Sequence, residues 1–434
     1  MARLFGTDGV RGLANGDVLT PELTVALARS AARVLHGNRV AIGRDTRPSG
    51  AMLQAAAAAG FTSAGVDVLL LGVVPTPVVA YAVASGGADI GLVISASHNP
   101  MPDNGLKLFA VGGHKLTDEQ ENAIEAGMAD VDGVTGSAVG AVHEAPAELV
   151  EDYLEALQDS AGRLDGLKVV VDAAEGAAWR LAPELYRRCG AEVVTIHCDG
   201  DGRRINEGSG ATHPESLAAA VVEQGADIGI AHDGDADRCI VVDGTGHVLN
   251  GDQVLGLLAL GRKDAGLPGS DVLVATVMSN LGLHQAMSAA GISVLQTAVG
   301  DRYVLEAMLA GDHKLGGEQS GHVVMLDHAT TGDGLLTALQ VMDRVVRSGR
   351  SVAELASAVR LLPQVLINVK ADRARATAPD VQAAVVEEEL ALEGSGRVLL
   401  RPSGTESLVR VMVEAPTQEQ ADTIAQRLAK VVSG

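Results

Sequence analysis

The chain has 434 residues, of which 47% are hydrophobic and only 2% aromatic, and its formal net charge is −22. This length predicts roughly three domains, while the acidic balance and the scarcity of aromatic rings argue against nucleic acid and anionic membranes as partners. Three cysteines, none in a CxxC pair, and an N-terminus without a secretory apolar run predict a cytoplasmic protein.

Three segments of the chain repeat one plan of a strand, a polar loop, a helix and a returning strand. The strands of the three copies are predicted at 40–43 and 66–71, at 169–172 and 192–196, and at 272–275 and 292–295. Such βαβ units form largely parallel sheets, in which ligands bind at the carboxyl ends of the strands.

One uncharged segment, Val68 to Ala88, is long enough to span a bilayer. Pro75 and Pro77 interrupt it, and a Ser-Gly-Gly sequence ends it. We therefore interpret it as a buried strand, a turn and a buried helix, and the sequence predicts no membrane partner.

A repeated pentapeptide connects the units to their chemistry. GADIG occurs at 87–91 and again at 225–229, and each copy leads through an apolar strand into a polar loop. The first loop is SASHNP at 95–100, and the second is DGDADR at 233–238. The counterpart in the third unit is GGEQSGH at 316–322. One repeated scaffold thus presents different polar side chains in each copy.

The remaining segment, from about 366, follows a different plan. It contains predicted strands at 365–369, 398–400 and 408–413 and predicted helices at 380–392 and 417–432. This pattern indicates a smaller α+β module. The predicted domains are therefore 1–150, 151–250, 251–365 and 366–434.

Asp233, Asp235 and Asp237 place three carboxylates within one short segment. On an extended strand the outer two would lie about 13 Å apart, and in a helix residues i, i+2 and i+4 share no face. Only a tight loop brings them within about 4 Å, the spacing that Mg²⁺ ligands need. A solvated acidic turn is the alternative, but the position after a repeated apolar strand favours a metal site. Oxygen ligands favour Mg²⁺ over zinc.

Ser97 offers a hydroxyl nucleophile in the sister loop, where Ser95 is the competing hydroxyl. The chain has no GxSxG elbow around these serines, which weakens an acyl-transfer interpretation. Asp103-Asn104-Gly105 is typical of a hairpin turn, which would return Lys107 to the serine as a phosphate ligand or a general base. Taken alone, Ser-His-Asn-Pro is more often an ordinary turn.

The RPSGTE loop combines a guanidinium, hydroxyls and a glycine, a set that suits a phosphate dianion: Arg401, Ser403, Gly404 and Thr405. Arg410 lies on the strand that follows. An ordinary polar turn is the alternative interpretation.

The GGEQSGH loop offers an acceptor in Glu318 and a donor in Ser320, flanked by glycines. This combination suits the hydroxyl groups of a sugar, because sites built for hydroxyls discriminate well. His322 is either a proton carrier or a structural histidine.

Taken together, these motifs resemble those of the α-D-phosphohexomutase superfamily over essentially the whole chain. They occur in the order FGTDGVRG at 5–12, SASHNP at 95–100, DNGLK at 103–107, DGDADR at 233–238, GGEQSGH at 316–322 and RPSGTE at 401–406. Each motif is moderately specific, whereas all six in order are very specific. Within the superfamily, RLFGTDGVRG and SASHNPMPDNG are most similar to bacterial members that act on glucosamine phosphates.

The resemblance implies an α/β fold of three similar βαβ-type domains with mixed, largely parallel sheets and a smaller α+β domain, heart-shaped around a central cleft. It implies that Ser97 is a phosphoserine and that it binds one Mg²⁺ together with Asp233, Asp235 and Asp237. The other implied roles are basic groups around the reacting phosphoryl (Arg11, Lys107, Arg238, His322), sugar-hydroxyl contacts (Glu318, Ser320) and a site for the non-reacting phosphate (Arg401, Ser403, Gly404, Thr405, Arg410).

The implied reaction interconverts glucosamine 6-phosphate and glucosamine 1-phosphate through a 1,6-bisphosphate, with a sugar 1,6-bisphosphate as activator. The product would feed UDP-N-acetylglucosamine and peptidoglycan synthesis. The alternatives are a mutase that prefers glucose or mannose phosphates, a Mg²⁺-dependent phosphatase that uses the same serine, and a non-catalytic sugar-phosphate sensor. The implied partner is a small sugar phosphate, and the sequence leaves a homodimer open.

Four positions depart from the usual pattern of the superfamily: Glu175, Arg204, Ser209 and Ser407. None of them is among the implied phosphoryl-transfer residues. Glu175 and Arg204 are charged replacements, and we hypothesise that they pair with each other.

Overall fold

The computed structural model describes residues 3–6, 8–130, 132–402 and 407–434, and these form four sheets. The first contains β1 (Val10–Leu13), β2 (Arg39–Arg44), β3 (Asp67–Val73), β4 (Ile90–Ile94), β5 (Asp103–Ala110), β6 (His114–Lys115) and β7 (Val142–Glu144). The second contains β8 (Lys168–Asp172), β9 (Glu192–Ile196), β10 (Ile228–Ala231), β11 (Ile240–Asp243) and β12 (Val248–Leu249). The third contains β13 (Val272–Thr276), β14 (Ser293–Thr297), β15 (Leu315–Gly317) and β16 (Val323–Met325), and the fourth β17 (Gln364–Lys370), β18 (Arg397–Pro402) and β19 (Leu408–Glu414).

The described residues also form α-helices between and after these strands. They are α1 (Pro21–Leu35), α2 (Gly50–Ser63), α3 (Thr76–Ala84), α4 (Asp118–Gly127), α5 (Glu148–Asp159), α6 (Leu181–Arg188), α7 (Glu215–Gln224), α8 (Gly251–Asp264), α9 (Leu281–Ala289), α10 (Asp301–Gly311), α11 (Gly334–Ser348), α12 (Val352–Ala356), α13 (Pro379–Leu392) and α14 (Gln418–Ser433). Across the described ranges, none of these helices combines the length and the apolar character that a bilayer crossing requires.

The first three sheets contain the same four-stranded arrangement. The orders β3-β2-β4-β5, β9-β8-β10-β11 and β14-β13-β15-β16 each place the second strand of a unit first. The first three strands of each unit are parallel, and the fourth is antiparallel to the third. The fourth sheet is entirely antiparallel, in the order β17-β19-β18. The predicted fold class, three similar α/β units with mixed sheets and a smaller α+β module, is confirmed.

Local sequence signals account for where the elements begin and end. The segment 68–88 forms β3 and α3 around the Pro75 turn, as predicted, and Val78 and Val79 are fully buried. Thr117 and Ser351 each form a capping box with a side chain three residues later, and so begin α4 and α12. Local capping side chains therefore account for where these two helices begin.

The predicted hairpin turn at Asp103-Asn104-Gly105 is wrong. These residues begin β5 and pair with β1, with Asn104 opposite Gly12. A two-residue hairpin turn of the expected type needs positive φ at both central residues, and neither Asn104 nor Gly105 has one. The chain reverses within residues 95–102 instead. The return of Lys107 toward the serine loop is still achieved, because β5 pairs antiparallel with β4 and Lys107 lies opposite Val93.

One apolar core joins the first three units. It includes residues of α3, α5, α6, α8 and α11, and the fully or almost fully buried Tyr153, Tyr186 and Leu255 belong to it. The fourth module has a separate core, in which Val409, Val411 and Val413 pack against α14. The first three units thus share buried surface, whereas the fourth module has an interior of its own.

Asp333 lies within the shared core and is 1% exposed. Its carboxylate caps α11 by accepting a hydrogen bond from the Leu336 N–H at 2.9 Å, and it accepts another from the Tyr153 hydroxyl at 3.0 Å. Burial raises the pKa of Asp333 from 3.8 to about 6. Because the folded-state pKa is above the unfolded value, the protonated carboxyl stabilises the fold below about pH 4, and this contribution is lost as the pH rises through about 6.

We therefore expect Asp333→Asn to stabilise the protein at pH 8, by at most about 3 kcal/mol, since one pKa unit corresponds to about 1.4 kcal/mol. Asparagine keeps a cap acceptor and removes the buried charge. The thermal unfolding midpoint should rise by about 2–5 °C at pH 8 and should equal that of the wild type near pH 4. A lower midpoint at pH 8 would mean that the ionised carboxylate is a net stabiliser.

Candidate active site

The three polar loops follow equivalent strands of the three units. Residues 95–100 follow β4, residues 232–238 follow β10 and residues 318–322 follow β15. Each of these strands is the third strand of its unit, parallel to the first and antiparallel to the fourth. The carboxyl end of a parallel strand is where ligands bind in such sheets, so the fold gives each unit one equivalent position for functional side chains.

The three aspartates are brought together by a tight loop, as the sequence analysis required. A carboxylate oxygen from each of Asp233, Asp235 and Asp237 lies within 4.8 Å of the other two, and all three side chains are buried. The Oδ1 atoms of all three are buried without a hydrogen-bond partner among the described residues. Buried oxygens without donors are costly unless a cation satisfies them. The cluster therefore fits a hard divalent cation.

Small residues between the aspartates allow this loop to approach the serine loop. A Cβ atom on Gly234 would lie 2.5 Å from the Ser97 carbonyl oxygen, so a side chain cannot be accommodated there. Ala236 adopts a positive φ of 55°, a conformation that bends the chain. The backbone N–H of Thr76 donates to the Asp235 carbonyl at 2.9 Å. The second unit is thus held directly against the first at this point.

Ser97 points its hydroxyl at the aspartate cluster. Its Oγ donates to Asp233 Oδ2 at 2.5 Å, and the residue is 1% exposed. The competing hydroxyl, on Ser95, donates instead to Asp45 Oδ2 at 2.6 Å and accepts the Ser97 N–H at 2.9 Å. Of the two serines, Ser97 is therefore the one whose hydroxyl adjoins the carboxylates.

Burial and the two neighbouring aspartates raise the pKa of Asp233 to about 7. The pKa of Asp237 lies well below its usual range, because Lys107 and then His322 outweigh the effect of burial. Carboxylates that share a site commonly separate in this way. A cation at the site would favour the ionised form of all three.

Lys107 is the main positive charge beside the carboxylates. Its Nζ lies 2.7 Å from Asp235 Oδ2, 2.8 Å from Asp8 Oδ2 and 3.3 Å from Asp237 Oδ2. Although burial opposes it, this carboxylate environment holds the pKa of Lys107 well above its usual range. Of the two predicted roles, a charged ammonium suits phosphate binding and cannot accept a proton as a general base.

Arg11 and Arg238 both lie close to this cluster. Arg11 donates to Asp8 Oδ2 at 2.5 Å, and Arg238 Nε lies 3.9 Å from carboxylate oxygens of Asp233 and Asp237. The Nε atoms of both arginines are buried without a hydrogen-bond acceptor among the described residues. Burial, and then the charges of Arg238 and Arg11, lower the pKa of His98 to about 4. His98 is therefore neutral at physiological pH.

His322 is 3% exposed and lies between two acidic groups. Its Nδ1 is 3.7 Å from Asp237 Oδ2, and its Nε2 is 3.5 Å from Asp301 Oδ2. Burial alone would lower the pKa of His322, but the hydrogen bond and charge of Asp237 raise it. A backbone bridge between Arg238 and His322 joins the loops of the second and third units.

Three charged residues of this network were not predicted from the sequence: Asp8, Lys115 and Asp301. Asp8 accepts from Arg11, Lys107 and Lys115, and Lys115 also pairs with Asp301. The network therefore links the first unit to the third. Asp8 could have been found, because it lies in the motif FGTDGVRG from which only Arg11 was selected.

Glu318 and Ser320 lie in the loop that follows β15. Glu318 Oε1 accepts the Gly300 N–H at 3.0 Å, and Ser320 Oγ is buried without a hydrogen-bond partner among the described residues. Glu318 lines a cavity of about 410 Å³, together with Arg11, His98, Arg238 and His322. This volume is suitable for a small ligand. A larger cavity of about 740 Å³ has Trp179 in its lining and none of the predicted site residues, so chemistry identifies the site better than size.

Arg401 and Arg410 are directly opposite each other on β18 and β19. Like charges at such positions repel each other, and no ionic partner is found for either arginine in the described part of the chain. This arrangement suits an anion. No described hydrogen bond joins the two arginines to the aspartate cluster, and Ser403, Gly404 and Thr405 lie outside the described residues.

Four family models match the chain in order. The models for phosphoglucomutase/phosphomannomutase alpha/beta/alpha domains I, II and III match residues 2–134, 151–246 and 250–361. The model for the phosphoglucomutase/phosphomannomutase C-terminal domain matches residues 366–431.

Individual proteins match over the full length. The phosphoglucosamine mutase of Saccharopolyspora erythraea is 58% identical over 445 residues, covering 100% of this chain and 99% of the relative. A phosphoglucomutase/phosphomannomutase family protein of Burkholderia thailandensis has a solved structure with a TM-score of 0.85 and 26% identity, covering 99% and 97% of the two chains. The Aspergillus fumigatus N-acetylphosphoglucosamine mutase, solved with GlcNAc-6P and magnesium, is similar in fold, with a TM-score of 0.67 and 18% identity over 99% and 95% of the chains.

Proposed function

The chain belongs to the phosphoglucomutase/phosphomannomutase family, and from that premise we propose that it interconverts glucosamine 6-phosphate and glucosamine 1-phosphate. One observation carries the reaction class: the Ser97 hydroxyl lies 2.5 Å from Asp233 within a carboxylate cluster that fits a divalent cation. The choice of the amino sugar rests on the 58% identity to a phosphoglucosamine mutase.

In the proposed cycle, Ser97 carries a phosphoryl group. The free hydroxyl of the bound sugar phosphate attacks phosphorus, the bond from phosphorus to Ser97 Oγ breaks, and the hydroxyl proton passes to a basic group of the site. The resulting 1,6-bisphosphate turns around in the cavity, and its other phosphoryl group returns to Ser97. Added sugar 1,6-bisphosphate would activate the enzyme by phosphorylating Ser97.

Asp233, Asp235 and Asp237, together with an oxygen of phosphorylated Ser97, would hold Mg²⁺. When bound, this ion would supply charge stabilisation to the transferring phosphoryl group. Lys107, Arg11 and Arg238 supply fixed positive charges around the same position, and such preorganised groups provide most of the catalysis in phosphoryl transfer.

Two groups of side chains would orient the sugar. Glu318 and Ser320 would bind its hydroxyls, and Arg401, Ser403, Gly404, Thr405 and Arg410 would bind the phosphate that is not being transferred. A separate phosphate site is required because either end of the sugar must be held while the other reacts. His322, between Asp237 and Asp301, is the proposed proton carrier.

Exclusion of water would protect the phosphoserine from hydrolysis. The fourth module has its own core, which is compatible with movement of this module as a rigid body over the site. In a bacterial cell the product would feed UDP-N-acetylglucosamine and peptidoglycan synthesis.

The test is turnover of glucosamine 6-phosphate against glucose 6-phosphate and mannose 6-phosphate, with Mg²⁺ and a trace of glucose 1,6-bisphosphate. We expect kcat/KM for the amino sugar to exceed the others by at least about tenfold, equivalent to about 1.4 kcal/mol. Equal or better turnover of the neutral sugar phosphates would leave the proposed phosphoryl-transfer reaction in place but would replace glucosamine phosphate as the preferred substrate. Accumulation of free phosphate would indicate a phosphatase, and binding without turnover would indicate a sensor.

A further inference from the structure

The backbone of the serine loop is held in an unfavourable conformation. Ser97 has a φ of 51°, in the left-handed region that L-residues rarely occupy. Such a conformation persists only where surrounding groups over-determine it. The contacts that hold Ser97 therefore determine where its hydroxyl points.

Arg47 makes the most extensive of these contacts. It is fully buried, and its Nε donates to Asp45 Oδ2 at 2.9 Å. Its four remaining N–H donors reach backbone carbonyl oxygens of the same loop region, those of Ser97, Asn99, Pro100 and Asp103, at 3.0, 2.7, 2.5 and 3.0 Å. All five donors of the guanidinium are thus engaged.

Asn206 contacts two of the same carbonyls from the second unit. Its Nδ2 donates to the carbonyl oxygens of Ser97 at 2.8 Å and Asn99 at 3.0 Å. Asn206 lies in the same unit as Asp233, the acceptor of the Ser97 hydroxyl. Its amide therefore connects the serine loop to the unit that contains the carboxylates.

Glu175 anchors the segment that carries Asn206. The Glu175 side chain is 1% exposed, and its carboxylate accepts the backbone N–H groups of Asp199 and Asp201 at 2.9 and 3.2 Å. It also pairs with Arg204 at 2.9 Å, so the hypothesis that these two departures pair is confirmed. The Asn206 N–H donates to the neighbouring Ala174 carbonyl at 3.0 Å.

The first unit contacts this anchor as well. The Thr46 hydroxyl donates to the Glu175 carbonyl oxygen at 2.5 Å, and Thr46 is adjacent to Arg47. A Cβ atom on Gly202 would lie 1.8 Å from the Thr46 carbonyl oxygen, so the segment containing Asn206 is packed closely against the loop containing Arg47. The loop that contains Arg47 and the segment that contains Asn206 therefore contact each other directly, in addition to contacting the serine loop.

We infer that Arg47 and Asn206 are positioning residues for Ser97, with Glu175 as the anchor of Asn206. They act through the Ser97 and Asn99 carbonyls and aim the serine hydroxyl at Asp233. The inference rests on the proposed function where it makes Ser97 the phosphoryl carrier. A displacement of a reacting atom by about 1 Å can cost about 100-fold in rate, so loss of either contact should lower kcat and leave sugar binding nearly unchanged.

The first variant to test is Asn206→Ala, which removes the amide and leaves the backbone bonds of the segment. We expect kcat to fall by about 30–100-fold, KM to change by less than about twofold, and Ser97 to be phosphorylated by glucose 1,6-bisphosphate more slowly by a similar factor. Gln340→Ala is the matched control, because Gln340 Nε2 also donates to a backbone carbonyl between elements, that of Ser160 at 2.9 Å. The control should keep the kcat of the wild type.

Arg47→Lys is the second variant, because lysine keeps the charge but cannot reproduce the guanidinium geometry. Arg47→Lys should likewise lower kcat while leaving KM nearly unchanged. Rates are normalised to folded protein by circular dichroism, so an unstable variant remains informative. A crystal structure of each variant adds a readout without turnover: the Ser97 φ should leave the left-handed region, or the distance from Oγ to Asp233 should lengthen.

The outcomes separate the two hypotheses. A wild type without any mutase turnover would refute the proposed function, while the crystal structures would still test the positioning. An active wild type, together with variants that keep kcat within about twofold and retain the Ser97 geometry, would overturn the inference. Equal loss in the Gln340→Ala control would also overturn it, because the effect would then be one of general stability.

Discussion

Ser97→Ala is expected to lower kcat of the interconversion by at least about 10⁴-fold, the order of loss seen when a catalytic nucleophile is removed. The hydroxyl is the atom that would carry the phosphoryl group, and alanine cannot replace it. Because Ser97 is buried and its backbone is held by other residues, the fold should remain intact. Sugar phosphate should still bind, since the substrate contacts proposed here belong to other side chains.

Steady-state turnover and mass spectrometry of the peptide containing Ser97 check this expectation. Wild-type protein incubated with glucose 1,6-bisphosphate should contain one phosphorylated site in this peptide, and Ser97→Ala should contain none. Ser95→Ala serves as the comparison, because its hydroxyl is engaged with Asp45. That variant should still be phosphorylated at Ser97. If Ser97→Ala kept turnover and Ser95→Ala lost it, the assignment of the nucleophile would move to Ser95.

Asp235→Asn is expected to reduce kcat by about 10²–10³-fold, comparable with loss of one preorganised electrostatic group. Asp235 contributes one of the three buried carboxylate oxygens without a donor. The amide can still accept from Thr76 Oγ1, which donates to Asp235 Oδ2 at 2.7 Å. The change therefore removes charge at nearly constant shape.

Mg²⁺ binding provides the independent readout for this variant. Losing a residue that only hydrogen-bonds to a metal ligand already costs about 10–100-fold in metal affinity. Loss of a direct ligand should therefore lower the affinity for Mg²⁺ by at least about tenfold, as measured by isothermal titration calorimetry. Asp243→Asn is the matched control, a buried carboxylate of the same unit that accepts from Thr245 and His247 in a turn. Its Mg²⁺ affinity should equal that of the wild type. Unchanged affinity in Asp235→Asn would remove Asp235 from the metal site.

Much of the fold was predictable because it depends on local patterns. The strand predicted at 192–196 coincides with β9, and the strand predicted at 169–172 lies within β8. Burial of alternate or successive apolar residues and capping groups determine such elements over short stretches of chain. The DNG segment was misassigned for the opposite reason: its turn propensity was overridden by pairing with β1, which is distant in sequence.

The residues of the candidate site likewise fall into those that local sequence identifies and those that only contacts between distant segments identify. Asp233 and Ser97 could be selected from the sequence, because each lies in a polar loop directly after a repeated apolar strand. Lys115 and Asp301 lie outside the motifs and could not be selected in advance, since Lys115 pairs with residues far away in the chain. Arg47 and Asn206 were missed for a related reason: their partners are backbone carbonyls, which any residue provides.

The sequence by itself therefore determined the three repeated α/β units, the smaller C-terminal module and the chemical character of each polar loop, because these follow from periodicity and motifs within short segments. The tertiary structure alone decided which loops meet. It placed the Ser97 hydroxyl against Asp233 of another unit, assigned Ser95 to Asp45 and positioned Lys107 among three carboxylates. Such contacts depend on how the units pack on their shared core, and packing is a property of the whole chain.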